Sequence, residues 1–502
     1  MIQINRKFSN FKITFNILLL IILTCIINLQ SLEKVFAFDK QTNLENTFIV
    51  AKKGPADFRS INKAFLAVKP GSRILIKPGV YKENLVLNKA VEIIGDGPLE
   101  EIILLTHKKV AISISADNVV VRGITVQVSE KGRVDCHGIF ISSKNVQIED
   151  CDIKSESDCG VSVYGETADV KIHNCRIHNS WVGIIVSGYS KALIDECEIF
   201  ANRFPGIVIS EKSYAEISKC KLHSGGQAGI LFESNSRGLV NGCKIANNYL
   251  AGIEIRNEAD PEIKDCTIFN GMEGGILIQQ NGLGKIAHCD IYQNHLSGIE
   301  IREGANPQVD ECKIHNCYQN GIMIQQNGLG KIINCEVYEN SINGILITDQ
   351  SNPLVKKCKF YNNRLAGILC DNGQGLYQEC LVNNNNKNGI EISGQSKINI
   401  VRSEIFENKM TGINITNEFG KPSQGLVVDC NIYKNSLSGI NIVGKTEVEF
   451  QKSTIKQNKQ YGVSVDDDGF GVFNHCDFSG NLLGPWQMAP GSKIGGIEKD
   501  LK

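Results

Sequence analysis

The sequence predicts an all-β fold, a parallel β-helix in which successive coils stack short strands into sheets. The first observation is a Gly followed by Ile or Val that recurs fifteen times between Gly138 and Gly462, mostly every 23 residues. The second is that aliphatic and polar residues alternate after each Gly, as in strands with one buried face. The third is that the cysteines keep the same interval. A fixed period of this length is typical of a solenoid, in which each unit buries its apolar face against its neighbours.

One coil illustrates the pattern. Cys289 and Ile291 alternate with polar residues, as do Ile299 and Ile301, and a turn at Asn306-Pro307 leads through Val309 to the next coil. Strands of three to five residues are too short to be stable alone, and no hairpin partner follows any of them closely. Each strand must therefore pair in parallel with its equivalent one coil later, about 4.8 Å away.

Asn recurs four residues before the Gly in most coils. Asn tolerates a left-handed backbone, and its side chain bonds neighbouring backbone groups, so we expect a column of Asn to hold one corner of the coils. The column consists of Asn202, Asn248, Asn294, Asn340, Asn363, Asn385, Asn408, Asn435 and Asn458.

Thirteen of the 18 cysteines keep the repeat interval. Stacked side chains point the same way, which does not produce the torsion of a disulfide, and a line of residues does not cluster around one metal ion. We expect small buried hydrophobes, with no metal and no cofactor. The periodic cysteines are Cys151, Cys175, Cys197, Cys220, Cys243, Cys266, Cys289, Cys312, Cys335, Cys358, Cys380, Cys430 and Cys476.

The charge of the chain is balanced, with 53 Lys and Arg against 54 Asp and Glu, which disfavours nucleic acid and anionic membranes as partners. The N-terminus has basic residues, an apolar run at 13–29 and a small residue, Ala37, where a signal peptidase would cut. We expect a signal peptide and export to the periplasm, cell surface or medium; an uncleaved anchor is the alternative. We further expect a monomer with no other membrane contact.

The ends of the repeat differ from its middle. Apolar residues at helical spacing follow Ser60 as a candidate N-cap, and Pro70-Gly71 ends them, which predicts a helix covering the first coil. After Cys476 the Gly position is replaced by Pro485-Trp486, and we expect Trp486 to close the far end. The predicted segments are a signal peptide at 1–37, a lead-in at 38–57, a capping helix at 58–70, the β-helix at 71–485 and a tail at 486–502.

A longer period overlies the first. Residues 252–297 match residues 298–343 at 24 of 46 positions, including an identical stretch of nine residues at 278–286 and 324–332. The unit of duplication is therefore two coils.

The repeat resembles the right-handed parallel β-helix of the pectin-lyase-like class over roughly residues 48–485. Its doubled unit, with Gly-Ile-x-Ile-x, Asn-Pro, Ile-His-Asn and Asn-Gly-x-Gly elements, is most similar to the β-helix of F-box-only ubiquitin-ligase adaptors and their bacterial relatives. No F-box precedes it. Residues 76–84 and 94–97 are similar to the opening coils of pectin methylesterases. The Gln-Asp-Thr and Asp-Phe-Ile-Phe-Gly motifs of those enzymes are absent, as is the polygalacturonase series, so the resemblance assigns no catalytic residue.

The resemblance places substrates on the outer face of the strand that follows each Gly. The residues two and four after the Gly point outward. The first of these columns is mostly aliphatic, which suggests a docking surface. The candidate ligand-binding residues in the two columns are Glu254, Arg256, Gln279, Glu300, Arg302 and Gln325.

Three interpretations of these residues remain open. The Glu and Arg residues are a solvated ion pair, or they bind a sugar or uronate with the Gln side chains, or Glu254 and Glu300 hydrolyse a glycan. Elsewhere, Asp466-Asp467-Asp468 is a candidate Ca²⁺ site or a solvated acidic run. We interpret His173, His178, His223 and His315 as turn or surface residues.

Three classes of function follow. The first is an exported, non-catalytic protein that binds a glycan or a cell-envelope partner along the outward strand face. The second, supported by fold analogy alone, is a polysaccharide lyase, epimerase or glycoside hydrolase. The third is an intracellular protein-interaction scaffold like the F-box adaptors.

Overall fold

The computed structural model describes residues 46–107, 109–129, 136–417 and 422–496. The chain divides into two compact units, Met1–Thr47 and Phe48–Lys502, and nearly all described residues belong to the second. The predicted signal peptide at 1–37 lies outside the described residues. No helix within the described ranges is both long enough and apolar enough to span a bilayer.

The second unit is a parallel β-helix, as the period of the sequence predicts. Each regular coil contributes one strand to each of three parallel sheets. Equivalent residues stack in register: Ile276 pairs with Ile299, and Ile299 pairs with Ile322. We call the sheets the Gly sheet, formed by the strands after each Gly, the middle sheet, whose strands come next along the chain, and the Cys sheet, whose strands follow the periodic cysteines.

The strands of the Gly sheet are Leu85–Leu87, Ile112–Ile114, Ile139–Ile141, Val161–Tyr164, Ile184–Ser187, Ile207–Ile209, Ile230–Phe232, Ile253–Ile255, Ile276–Ile278, Ile299–Ile301, Ile322–Ile324, Ile345–Thr348, Ile368–Asp371, Ile390–Ser393, Ile413–Thr416, Ile440–Gln451, Tyr461–Asn474 and Gly484–Met488. The strands of the middle sheet are Thr47–Val50, Ser72–Ile76, Val91–Gly95, Val120–Arg122, Val146–Glu149, Asp169–His173, Lys191–Asp195, Tyr214–Ser218, Arg237–Asn241, Asp260–Lys264, Lys285–Ala287, Gln308–Asp310, Lys331–Ile333, Leu354–Lys356, Gln374–Gln378, Lys397–Val401, Gln424–Val428 and Lys493–Gly495. The strands of the Cys sheet are Gly79–Tyr81, Ile102–Thr106, Thr125–Val128, Asp152–Ser155, Arg176–His178, Glu198–Phe200, Lys221–His223, Lys244–Ala246, Thr267–Phe269, Asp290–Tyr292, Lys313–His315, Glu336–Tyr338, Lys359–Tyr361, Leu381–Asn383, Glu404–Phe406, Asn431–Tyr433 and Thr454–Lys456. The long strands Ile440–Gln451 and Tyr461–Asn474 run from the Gly sheet into the middle sheet.

The middle sheet is the element that the sequence pattern showed least clearly. In the coil used as the example, the sequence predicts a turn at Asn306-Pro307 followed by one aliphatic residue, Val309. The structure has a strand of the middle sheet there, Gln308–Asp310. A strand with one buried residue between two polar ones has no visible alternation. The chain then turns into the Cys sheet through a left-handed residue, Glu311, with φ of 50°.

The interior is filled by columns of aliphatic and Cys side chains. The aliphatic residues one and three after each Gly are buried, as predicted; Ile299 and Ile301 are examples. The prediction for the cysteines is confirmed too: all the periodic ones are buried except the half-buried Cys476, and no described cysteine forms a disulfide. The Cys289 Sγ lies 3.3 Å from the Ala287 carbonyl oxygen, to which the thiol donates a weak hydrogen bond.

The Asn column forms a buried corner, and its side chains bond to one another between coils. Asn363 donates from Nδ2 to Asn385 Oδ1 at 3.0 Å and to the carbonyl of Val337 at 3.2 Å. Its own Oδ1 accepts from the backbone N–H and the Nδ2 of Asn340, both at 3.1 Å. The expected left-handed backbone belongs instead to the preceding residue, such as Asn362 with φ of 56°. The buried Asn therefore contributes its amide, and its neighbour makes the turn.

A short α-helix, Ile61–Ala67, lies within the predicted range 58–70. The Ser60 side chain caps it by accepting from the Lys63 N–H, and Glu83 accepts from the Ile61 and Asn62 N–H groups. The strand Thr47–Val50 precedes the helix inside the predicted lead-in at 38–57. A single turn of 3₁₀-helix spans Leu99–Glu101. That the helix closes the end of the β-helix stays a prediction.

Strands continue past the predicted boundary at residue 485. Gly484–Met488 pairs with Tyr461–Asn474, and Lys493–Gly495 pairs with the latter part of that strand. Trp486 is half-buried with its ring edge-on to Phe478 at 6.2 Å. No Gly-Ile pair precedes either of these two strands, so strand pairing continues beyond the last Gly-Ile of the repeat.

Candidate functional site

The six predicted site residues form one hydrogen-bonded row on the outer face of the Gly sheet. A seventh residue, Glu233, joins them at one end. We call this row the outer ladder; it consists of Glu233, Glu254, Arg256, Gln279, Glu300, Arg302 and Gln325. Its members stand two or four residues after successive Gly positions. They meet on one face because alternate residues of a strand point the same way and the coils are in register.

The first part of the ladder centres on Arg256. Its Nε and one terminal nitrogen donate to Glu233 Oε2 at 2.9 and 2.6 Å, and its other terminal nitrogen donates to Glu254 Oε1 at 3.3 Å. Gln279 donates from Nε2 to the same Glu254 oxygen at 2.8 Å. A planar guanidinium shared between two carboxylates is held in one orientation.

A similar arrangement, centred on Arg302, recurs two coils further along the chain. Arg302 donates to Gln279 Oε1 at 2.9 and 2.6 Å and to Glu300 Oε1 at 3.2 Å. Gln325 donates to the same Glu300 oxygen at 2.8 Å. Gln279 therefore accepts from one coil and donates to another, and it joins the two parts into a continuous network.

The ladder is partly shielded from water. The Glu254 and Glu300 side chains are 12% and 16% exposed to solvent, and those of Arg256 and Arg302 are 33% and 30% exposed. Burial acts to lower the pKa of Arg256, but the hydrogen bond to Glu233 and the charges of Glu254 and Glu233 outweigh it and raise that pKa. The solvated ion pair proposed from the sequence is thus a half-buried, cross-bonded network.

Two glutamates at this site were missed by sequence analysis. Glu233 stands four residues after Gly229, in the same column as Arg256, so column position would have revealed it. Glu273 precedes Gly275 in a turn, where the strand pattern carries no information. Burial, followed by the charges of Glu300 and Glu254, raises the pKa of Glu273, and the charge of Arg302 opposes this shift. Glu273 therefore lies close to the ladder on the coil between those two carboxylates.

The aliphatic column beside the ladder is less exposed than expected. Leu231 is 6% exposed, and Leu277, Met323 and Leu346 are half-buried. Strands 4.8 Å apart bring each side chain against its equivalents in the adjacent coils, which covers much of its surface. The surface around the ladder is a tightly packed, half-buried apolar stripe.

The four histidines interpreted from the sequence as turn or surface residues lie on the surface, at the ends of strands. His178, His223 and His315 end strands of the Cys sheet rather than lying in turns. They belong to two stacks of rings on its outer face. His178 and His223 flank Phe200 in the first. In the second, the His315 ring lies 4.7 Å from that of Tyr338 with the planes 8° apart. His173 ends a strand of the middle sheet. Because the stacked rings cover each other's faces, a ligand would contact mainly the ring edges on this surface.

Ligating side chains converge at two places within the described ranges. One group is His137, Asp158 and Cys159, and the other is His173, Asp195 and Glu196, each with donor atoms within 4.8 Å of one another. The acidic run at 466–468 belongs to neither group, and Asp467 and Asp468 are exposed. None of the periodic cysteines takes part.

Three pockets of the described surface lie away from the ladder. One is lined by Phe478 and Trp486, a second by Ser60 and Glu83, and a third by Lys445 and Phe470. The ladder itself runs along the outer face of successive coils, which suits an extended ligand.

Three stacked parallel sheets, an Asn corner and an open outer face define a right-handed parallel β-helix protein. The chain belongs to the family described as the right handed beta helix region, which matches residues 110–260, 159–295, 251–402 and 371–494. The similarity to F-box-only adaptors expected from the sequence is not shown by this match. No curated protein sequence shows significant similarity to the chain.

Solved structures of the same fold include enzymes that act on polysaccharides. Pectin methylesterase from carrot is 15% identical, covering 50% of this chain and 82% of its own, with a TM-score of 0.30. The A-module of mannuronan C-5 epimerase AlgE6 from Azotobacter vinelandii is 11% identical, covering 88% and 96%, with a TM-score of 0.29. The catalytic domain of a GH87 α-1,3-glucanase is 14% identical, covering 91% and 69%, with a TM-score of 0.33. At these values the likenesses concern the fold and carry no argument about activity.

Proposed function

We propose that the protein is an exported, non-catalytic glycan-binding β-helix and that the outer ladder is its binding face. The observation that carries this proposal is a row of planar carboxylate, amide and guanidinium groups that hold one another in place on an open surface. From the coil of Gly229 to that of Gly321 there are four steps, so the row extends over about 19 Å. A sugar chain lying along the coils meets the same polar pattern twice.

The chemistry of this face suits sugar hydroxyls. Groups already fixed by neighbours lose little side-chain entropy when a ligand binds, and Glu, Gln and Arg together offer both donors and acceptors. The aliphatic stripe beside them, with Leu277 and Met323, provides apolar contact for the C–H groups of a sugar ring. Polar groups at fixed positions in an apolar surrounding are typical of ligand sites.

The charges of the site favour a neutral glycan over a polyuronate. Five carboxylates, those of Glu233, Glu254, Glu273, Glu300 and Glu303, surround two guanidinium groups, those of Arg256 and Arg302. Both Arg side chains are already paired with carboxylates, which offsets their attraction for an anionic sugar. Like charges disfavour acidic polysaccharides at this surface.

Binding of neutral and acidic polysaccharides to the purified protein tests the proposal. We expect retention on a neutral glycan and weaker retention on a polyuronate. Arg302→Ala should weaken binding at least tenfold, since hydrogen bonds from charged groups contribute about 1.5–3 kcal/mol. Arg402→Ala is the matched control, because Arg402 pairs with Glu379 at 3.1 Å on an exposed surface elsewhere. No retention on any polysaccharide, or an equal loss in both variants, would contradict the proposal.

A second candidate, glycan hydrolysis, rests on Glu273. A carboxyl group whose pKa is raised beside two carboxylates is the arrangement of a general acid and its partner. Glu254 and Glu300 lie two coils apart, about 9.6 Å between backbones, with Glu273 on the coil between them. Release of reducing ends from neutral glycans, abolished in Glu273→Gln, would support hydrolysis. An unchanged panel of substrates would eliminate it.

A further inference from the structure

A second cluster of side chains, far along the chain from the outer ladder, has the composition of a metal site. His137 precedes Gly138 and Cys159 precedes Gly160, so the two stand at the same position of adjacent coils. Their strands are in register, with Ile139 paired with Val161 and the Gly138 N–H bonded to the Cys159 carbonyl. Asp158 directly precedes Cys159, and its carboxylate lies beside the His137 and Cys159 side chains.

The distances match the ligand spacing of a tetrahedral ion. His137 Nδ1 lies 3.4 Å from Asp158 Oδ2, and Cys159 Sγ lies 3.3 Å from Asp158 Oδ1. One donor atom from each residue falls within 4.8 Å of the other two. Ligands bound to Zn²⁺ at 2.0–2.3 Å in a tetrahedron are separated from one another by about 3.3–3.6 Å. Small side-chain rotations would bring the three atoms to one ion.

The cluster leaves a buried nitrogen without a hydrogen bond. His137 Nδ1 is shielded from solvent and makes no hydrogen bond, although Asp158 Oδ2 lies 3.4 Å away. A buried polar atom without a partner is costly, and a cation bound to the imidazole would give this nitrogen a partner.

The thiol is also in an unusual setting. Cys159 stands outside the cysteine column that fills the core; it is 2% exposed and lies beside a carboxylate.

We infer that His137, Asp158 and Cys159 bind one divalent transition-metal ion and that Zn²⁺ is the preferred ion. Imidazole nitrogen, carboxylate oxygen and thiolate sulfur are all zinc ligands, and the sulfur selects against Mg²⁺ and Ca²⁺. The His137 and Asp158 side chains keep 17% and 18% of their exposure, which leaves a path for the ion and room for water as the fourth ligand. The Phe140 ring, stacked at 5.8 Å, holds the imidazole in orientation.

The test is metal binding by the purified chain without a polyhistidine tag. Chelator-treated protein is titrated with Zn²⁺ alone, and the metal that survives dialysis is measured by mass spectrometry. We expect one equivalent, with affinity at least tenfold lower in His137→Ala and Cys159→Ser. Substitution by Co²⁺ should give a thiolate-to-metal charge-transfer band that Cys159→Ser lacks.

Matched controls separate this site from other metal-binding groups. Cys151→Ser removes a thiol of the core column, and His173→Ala disrupts the other His and carboxylate group; both should bind Zn²⁺ like the parent. If Cys159→Ser does not fold, as judged by circular dichroism, the near-isosteric Asp158→Asn takes its place. Absence of stoichiometric binding, binding unchanged in the ligand variants, or loss of binding in His173→Ala would each overturn the inference.

Discussion

At the scale of single residues, the fold depends on side chains that repeat one contact in every coil. Asn363 bonds to Asn340 in the preceding coil and to Asn385 in the following one, and it is fully buried. Its amide also donates to the Val337 carbonyl. Because each amide both donates and accepts, the loss of one leaves polar atoms on two sides without partners.

Asn363→Ala should therefore reduce stability by about 1–3 kcal/mol or more, the cost of leaving buried groups unpaired. Denaturant unfolding would measure the change, and hydrogen exchange should show faster opening around the coils that contain Asn340 and Asn385. Asn386→Ala is the control, because the Asn386 side chain is exposed; it should stay within about 0.5 kcal/mol of the parent. Equal effects of the two changes would show that the corner amides do not stabilise the coils.

Glu273 provides a prediction about pH. Its pKa in the folded chain is raised by burial and by Glu300 and Glu254, so it binds protons more tightly folded than unfolded. Stability from this group is therefore fully present below its unfolded pKa and is lost as pH rises through the folded value. Glu273→Gln should raise the melting temperature at neutral pH and change it little in acid. A larger gain in acid than at neutral pH would contradict this.

At the scale of elements, the Cys sheet is reinforced outside by stacked rings. Tyr338 lies between His315 at 4.7 Å and Tyr361 at 4.8 Å. Tyr361 ends this stack, with Tyr338 on one side and Asn383 in the next coil. In-register parallel strands place identical positions one above another, so neighbouring aromatic residues stack directly.

The two tyrosines give a matched pair of variants. Tyr338→Ala loses two ring contacts and Tyr361→Ala loses one, each contact contributing about 0.5–1.5 kcal/mol beyond the area that it buries. We expect Tyr338→Ala to be the more destabilising by about one such contact in denaturant unfolding. If Tyr361→Ala costs as much or more, ring stacking does not set the stability of this face.

At the scale of the whole molecule, the repeat makes one coil replaceable by another. Residues 252–297 and 298–343 agree at 24 of 46 positions, and each set presents the same edges to its neighbours. Deleting 252–297 would place Arg302 next to the coil of Glu233, where Arg256 now stands. The outer ladder would be shortened and still connected, and the Asn and Cys columns would remain continuous.

We therefore expect the chain without residues 252–297 to fold, with β-type circular dichroism and cooperative unfolding, and to bind glycan more weakly if the outer ladder is the binding face. Deleting residues 252–285, which is not a whole number of coils, is the control. It joins residue 251 to a strand of the middle sheet, so the coil at the junction has no Gly-sheet strand and the coils on its two sides cannot pair through all three sheets. We expect this variant to be aggregated or partly unfolded. Failure of the in-register deletion to fold would show that the coils are not interchangeable.

The sequence by itself determined the parallel β-helix, the inward Cys and aliphatic columns, the Asn corner and the two outward columns that contain Glu254 and Arg302. These follow from residue spacing, because stacking in register turns a period along the chain into columns in space. Only the tertiary structure showed the strands of the middle sheet, the left-handed residue before each corner Asn, and the bonds that join Gln279 to two coils. It also brought Glu273, and the group of His137, Asp158 and Cys159, together. Those contacts depend on the distances between side chains of adjacent coils and turns, and the spacing of residues along the chain does not give these distances.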